Sequence, residues 1–106
     1  MSASDRSRSA ESGDKTHVLE KTVLVVNAVG LHARPASLIA QTASRFASDV
    51  MLRHGTYEAN GKSIMGVLML AAYCGSEIVI RTEGAGAEAA MAALVALVQN
   101  KFGEEV

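Results

Sequence analysis

A chain of 106 residues, 49% of them hydrophobic, is long enough for one domain with a real core and too short for two ordinary ones. A formal net charge of −1 leaves no overall footprint for nucleic acid, and no apolar run reaches the length of a membrane span. With no tryptophan, two tyrosines and two phenylalanines, the core has to be made of Ala, Val, Leu, Ile and Met.

The first stretch, MSASDRSRSAESGDKTH (1–17), is rich in serine and in charges of both signs. It has almost nothing apolar to bury, so it reads as a disordered tail, and it lacks the apolar centre of a signal peptide. VLEKTVLVVN (18–27) is rich in β-branched residues and predicts a first strand. From Pro35 the apolar residues fall at Ala36, Ile39, Ala40, Ala43, Phe46 and Ala47, a helical spacing. That spacing leaves Ser37, Gln41, Ser44, Arg45 and Ser48 on the other side. DVMLRH (49–54) and TYEAN (56–60) predict a hairpin about Gly55, and Asn60-Gly61 is a turn signal. SIMGVLMLAAY (63–73) predicts a short helix closed by Gly75, EIVIRT (77–82) a fourth strand, and 87–101 a long helix with Met91, Leu94, Leu97 and Val98 on one stripe. Strand, helix, strand, strand, helix, strand, helix is the order of an open-faced α/β sandwich with its helices on one face. The tight hairpin makes the sheet at least partly antiparallel.

Charge is uneven along this plan. Between Val18 and Gly75, Lys21, Arg34, Arg45, Arg53 and Lys62 outnumber Glu20, Asp49 and Glu58. Glu77, Glu83, Glu88, Glu104 and Glu105 dominate afterwards. A partner that docks on the first half is therefore expected to be acidic. The single cysteine, Cys74, excludes an internal disulfide and fits a reducing, cytoplasmic setting. As a nucleophile it has no partner base in view, and it reads as a small residue near a helix end.

One segment does not fit the logic of a plain helix start. VGLHARPASL (29–38) puts His32 and Arg34 where a helix begins, although the positive end of a helix attracts anions and repels cations. The first N–H groups of such a helix have no internal partner and hold phosphate readily. The positive helix end favours the neutral imidazole, whose free lone pair can attack a phosphoryl group. Arg34 and the helix start would then steady the negative charge. Pro35 suits the first turn, where its missing N–H is not needed. Outside this setting, His-x-Arg-Pro would be an ordinary loop with a solvated cation.

Gly30-Leu31-His32-Ala33-Arg34-Pro35-Ala36 resembles the active-site signature of HPr, the histidine-containing phosphocarrier of the bacterial phosphotransferase system. Asn60-Gly61-Lys62-Ser63-Ile64-Met65-Gly66 resembles the regulatory serine segment of that family, in the right order and at a fitting distance. The resemblance spans roughly 18–103, and the phosphocarrier domain is taken as 18–106. It implies a βαββαβα fold, an α/β open-faced sandwich with a four-stranded antiparallel sheet in the order 1-4-2-3 and three helices on one face. It also implies a carrier rather than an enzyme. Phosphoenolpyruvate-charged Enzyme I would phosphorylate Nδ1 of His32 to give a pros-phosphohistidine, and an enzyme IIA domain would take the group onward, in the service of sugar transport. Arg34 would stabilise the phosphoryl oxygens and Pro35 would set the helix start. No cofactor and no metal are expected on the carrier. The partners implied are Enzyme I, enzyme IIA domains and an HPr kinase/phosphorylase acting on Ser63, with no nucleic acid and no membrane insertion, and monomer as the default.

Ser63 also reads as an N-cap for the helix that follows it. A phosphate there would add about −1.5 to −2 charges and repel an acidic partner without unfolding the domain. The helix itself has almost no polar face, so Val67 and Leu70 are expected inward, with Ile64, Met65 and Leu68 forming an exposed partner-binding patch near His32. Family members often carry lysines along the first helix; here that face offers Gln41, Ser44 and Ser48 with Arg34 and Arg45. His17 and His54 match no family site and read as solvated. Two alternatives use the same frame: a nitrogen-type HPr that signals through its phosphorylation state, and a non-transferring binding module of the same fold.

Overall fold

A computed structural model describes residues 17–106. In chain order it contains β1 (Val18–Leu24), α1 (Ala33–Ser44), β2 (Asp49–His54), β3 (Tyr57–Asn60), α2 (Ile64–Leu68), β4 (Glu77–Glu83) and α3 (Ala87–Gln99), followed by one 3₁₀ turn (Lys101–Gly103). The expected tail lies outside the described residues except for His17, whose carbonyl accepts a hydrogen bond from the N–H of Gly84.

The four strands form one sheet in the order β1-β4-β2-β3, with every neighbouring pair antiparallel. β4 is the spine. It pairs with β1 from Val18↔Glu83 to Leu24↔Glu77 and with β2 from Asp49↔Glu83 to Arg53↔Val79. Alternation decides which face is wet. Val23, Val50, Leu52, Ala59, Ile78 and Ile80 point to a buried face, while Glu20, Arg81, Met51 and Asn60 follow one another across the other.

α1 and α3 close the buried face. α1 contributes Ala36, Ile39, Ala40 and Ala43, and α3 contributes Ala87, Ala90, Met91, Leu94 and Val98. Their alanines allow close approach, and the branched residues fill the space between. Each fully buried Val, Leu or Ile side chain contributes about 1.5–3 kcal/mol relative to exposure. Val67 and Leu70 are buried as expected, whereas Leu97 is half-buried at the edge of its stripe. Phe102, beyond α3, is buried in the same core.

Three boundaries differ most from the sequence reading. β1 stops at Leu24, opposite Glu77 at the start of β4; Val25 still donates to the Ser76 carbonyl and accepts from the N–H of Gly75, and the chain turns at Asn27, whose carbonyl accepts from the N–H of Gly30. α2 spans five residues rather than the run 63–73. Ala71 adopts a left-handed conformation with φ +52°, and the Ala72 carbonyl accepts from the N–H of Leu31, so the chain leaves the helix to meet the loop before α1. α3 ends at Gln99, and Lys101 and Phe102, both at φ +56°, turn the chain so that Phe102 enters the core and its carbonyl reaches Arg34.

Candidate active site

Gly30 sets the approach to the site. Its φ is +81°, and a Cβ there would lie 2.6 Å from the Ala72 carbonyl oxygen and 2.8 Å from Tyr73 Cα. Only glycine fits this contact without strain. Leu31 is buried beside it, which fixes the next residue at the start of α1.

That residue, His32, is the N-cap of α1. Its backbone is extended, and its carbonyl accepts from the N–H of Ala36 at 3.0 Å. Its side chain makes no capping bond, and it is 38% exposed. Ala33 and Arg34 occupy the first two helical positions, where backbone N–H groups have no carbonyl of their own helix to reach. Pro35, buried at the third position, has no N–H to leave unpaired. The two free donors therefore face the same end as the ring.

The far end of the chain completes the site. Glu104 Oε2 lies 2.7 Å from His32 Nε2 and 3.6 Å from Arg34 Nη1. Its other oxygen accepts a 2.9 Å hydrogen bond from Nδ2 of Asn27, a fully buried side chain that also donates to the Gly30 carbonyl. The Asn27 hydrogen bond, reinforced by the hydrogen bond and charge of His32 and by the charge of Arg34, outweighs desolvation and holds the Glu104 carboxyl below the usual carboxylate range. Arg34 itself donates to the Phe102 carbonyl at 2.7 Å, and the Ala28 N–H donates to the Val106 carbonyl at 3.0 Å. The C-terminal segment thus straps across the start of α1.

Ser63 caps α2 as expected, accepting from the N–H of Gly66 at 3.0 Å. The expected patch needs one correction. Ile64 and Met65 are exposed, but Leu68 is half-buried and packs on the core. The short helix ends before a second exposed turn forms, and Met69, 73% exposed, takes the outer position. Tyr73, also exposed, flanks Gly30 and links this surface to the His32 loop. On α1, Gln41, Ser44 and Arg45 face solvent, whereas Ser48, past the helix end, is buried. His54 is not solvated: its Nδ1–H donates to the Leu70 carbonyl at 2.8 Å. Cys74 is exposed on the loop after α2 rather than at a helix end. Among the described residues, no helix is long and apolar enough to cross a membrane, and no group of three His, Cys, Asp or Glu side chains could hold a metal ion.

The fold and the His32 site together define the class. Residues 19–100 match the family model described as PTS-HPr, the PTS HPr component phosphorylation site. The chain is 55% identical over 85 residues to the phosphocarrier protein HPr of Treponema pallidum (strain Nichols), covering 80% of this chain and 97% of that protein. It is 40% identical to the phosphocarrier protein NPr of Shewanella violacea, over 81% of this chain and 94% of that one. Its fold superimposes on the crystal structure of HPr-C-His from Thermoanaerobacter tengcongensis with a TM-score of 0.80 at 43% identity, covering 83% and 99% of the two chains. The chain belongs to the HPr family of the phosphotransferase system, and its general role is that of a phosphocarrier rather than a catalyst.

Sequence reasoning singled out His32, Arg34, Pro35 and Ser63 because they sit in two short contiguous blocks. It missed Glu104 and Asn27 as site residues. Glu104 stands 72 residues from His32, in a Glu-Glu pair that reads as ordinary surface charge. A buried asparagine two residues before the Val29-Gly30 turn carries no signature either.

Proposed function

We propose that this chain accepts a phosphoryl group on His32 from phosphoenolpyruvate-charged Enzyme I and passes it to an enzyme IIA domain. The observation that carries this reading is the half-exposed imidazole of His32 at a helix start whose first N–H donors are free. A neutral ring attacks phosphorus with the Nδ1 lone pair, as in the family this chain belongs to, giving a pros-phosphohistidine. The Ala33 and Arg34 N–H groups and the positive helix end would stabilise the phosphoryl oxygens as they acquire charge. Arg34 acts in the same step: its side chain is more than half exposed and leaves the Phe102 carbonyl to meet the phosphoryl oxygens. Pro35 keeps the first turn rigid. Phosphohistidine suits onward transfer because imidazole is both a good nucleophile and a good leaving group.

Ile64 and Met65, with Met69 and Tyr73, form the surface on which Enzyme I and the acceptor dock. Ser63 sits beside them and is the regulatory position. A phosphate on its hydroxyl replaces a neutral cap by about −1.5 to −2 charges, tolerated at a helix start but repelled by an acidic partner. An HPr kinase/phosphorylase would then slow the uptake of phosphoryl groups. The 40% identity to an NPr favours a second reading, in which the acceptor belongs to a regulatory branch.

The test is a chase. The protein is charged with Enzyme I, phosphoenolpyruvate and Mg²⁺, purified, and mixed separately with sugar-type and nitrogen-type IIA domains. Rapid loss of label to the sugar-type domain is the expected result. Preferential transfer to the nitrogen-type domain selects the regulatory reading. Loss to neither, with both domains active toward a control carrier, contradicts both.

A further inference from the structure

The Glu104 carboxylate touches a nitrogen of His32 that the transfer does not use. Ionised, it can only accept hydrogen bonds, so at 2.7 Å the proton between Oε2 and Nε2 belongs to the ring. A neutral imidazole with its proton on Nε2 has its lone pair on Nδ1. Which nitrogen of a histidine is free is set by the partner of the other one. We propose that Glu104 is a positioning residue for the transfer, holding the proton on Nε2 of His32 so that the phosphoryl group goes to Nδ1. This rests on the carrier reading of His32.

The setting argues against a chance surface ion pair. The Glu104 side chain is only 17% exposed, and its two oxygens are assigned to different partners. Asn27, fully buried, uses one amide group to bind both Glu104 Oε1 and the Gly30 carbonyl, so the carboxylate and the loop that carries His32 are fixed to each other. The bonds from Ala28 to Val106 and from Arg34 to Phe102 hold the same segment on either side of Glu104.

Proton accounting supports the role. The Nδ1 lone pair forms the new N–P bond while the donor's bond to phosphorus breaks, its electron pair returning to the donor atom. His32 becomes an imidazolium that still carries Nε2–H, and the Glu104 carboxylate matches that charge. In the onward step the N–P electron pair returns to Nδ1 and the ring leaves as the same neutral Nε2–H tautomer. No proton on His32 has to move in either direction.

The test reads tautomer and rate together. Nitrogen-15 NMR of the neutral His32 ring gives the proton position without any donor. Transfer from charged Enzyme I gives the rate. The wild type is expected to show Nε2 protonated and Nδ1 free. Glu104→Ala is expected to give a tautomer mixture and transfer slowed in proportion to the Nε2–H fraction lost, with the KM for Enzyme I unchanged. Glu104→Gln, whose amide oxygen can still accept from Nε2–H, supplies a second variant, and across the three proteins the rate should follow the Nε2–H fraction. A folded Glu104→Ala with the wild-type tautomer, or with an altered tautomer and an unaltered rate, overturns the proposal. A wild type with the expected tautomer that takes no phosphoryl group overturns the carrier reading instead, and with it any role in transfer.

Discussion

His32 and Glu104 meet across the whole length of the domain, and the pair has consequences that separate cleanly by residue. Glu104 has a folded-state carboxyl lying below the ordinary value of 4.5, chiefly through the Asn27 hydrogen bond. Its contribution to stability is therefore fully present above pH 4.5, and is lost as the pH falls below that value and through the lowered one. Urea midpoints of the wild type and Glu104→Ala should differ at neutral pH and converge in acid; a gap that stays constant down to the acid limit contradicts this assignment. Arg34→Ala should slow phosphoryl transfer by about 10²-fold, the usual cost of removing one charge-stabilising donor, with a stability loss of about 1 kcal/mol from the lost hydrogen bond to the Phe102 carbonyl. Stopped-quench transfer kinetics check it. His32, Arg34 and Pro35 were legible because their chemistry is written in adjacent letters. Glu104 was not, because its place depends on the backward bend at Lys101 and Phe102, two non-glycine residues at φ +56° that no local pattern announces.

At the scale of elements, α2 shows where local reading stops. The apolar run 63–73 is helical by composition, but a helix five residues long forms. The rest is taken by tertiary bonds: the carbonyl of Leu70 accepts from His54, and that of Ala72 from Leu31. The start of α2 was legible because Ser63 can cap it, and Ser63→Ala should cost about 1 kcal/mol by chemical denaturation. The end is strained, because Ala71 sits at φ +52° where an L-residue other than glycine costs about 1–2 kcal/mol. Ala71→Gly should therefore stabilise the domain by up to about 1 kcal/mol once the entropy of glycine is set against the relieved strain. A destabilised variant would mean that the Ala71 methyl makes contacts worth more than the strain.

Across the whole molecule, alternation and helical spacing identified four strands and three helices, and the Gly55 hairpin required antiparallel pairing. The strand order came from the family resemblance, since spacing along a chain cannot say that β4 inserts between β1 and β2. Phe102 ties the core to the site: it is buried among the α3 and sheet residues while its carbonyl holds Arg34. Phe102→Ala should cost about 3–5 kcal/mol and also speed amide exchange at Ala28, whose partner Val106 lies on the released strap. The central claim is that His32 is the atom-bearing residue of a phosphocarrier. It is tested most directly by intact mass after incubation with Enzyme I, phosphoenolpyruvate and Mg²⁺, with His32→Ala alongside. One added, acid-labile phosphoryl group on the wild type and none on the variant is the predicted result. No added mass on folded wild type in the presence of charged Enzyme I, or equal labelling of the variant, would contradict it.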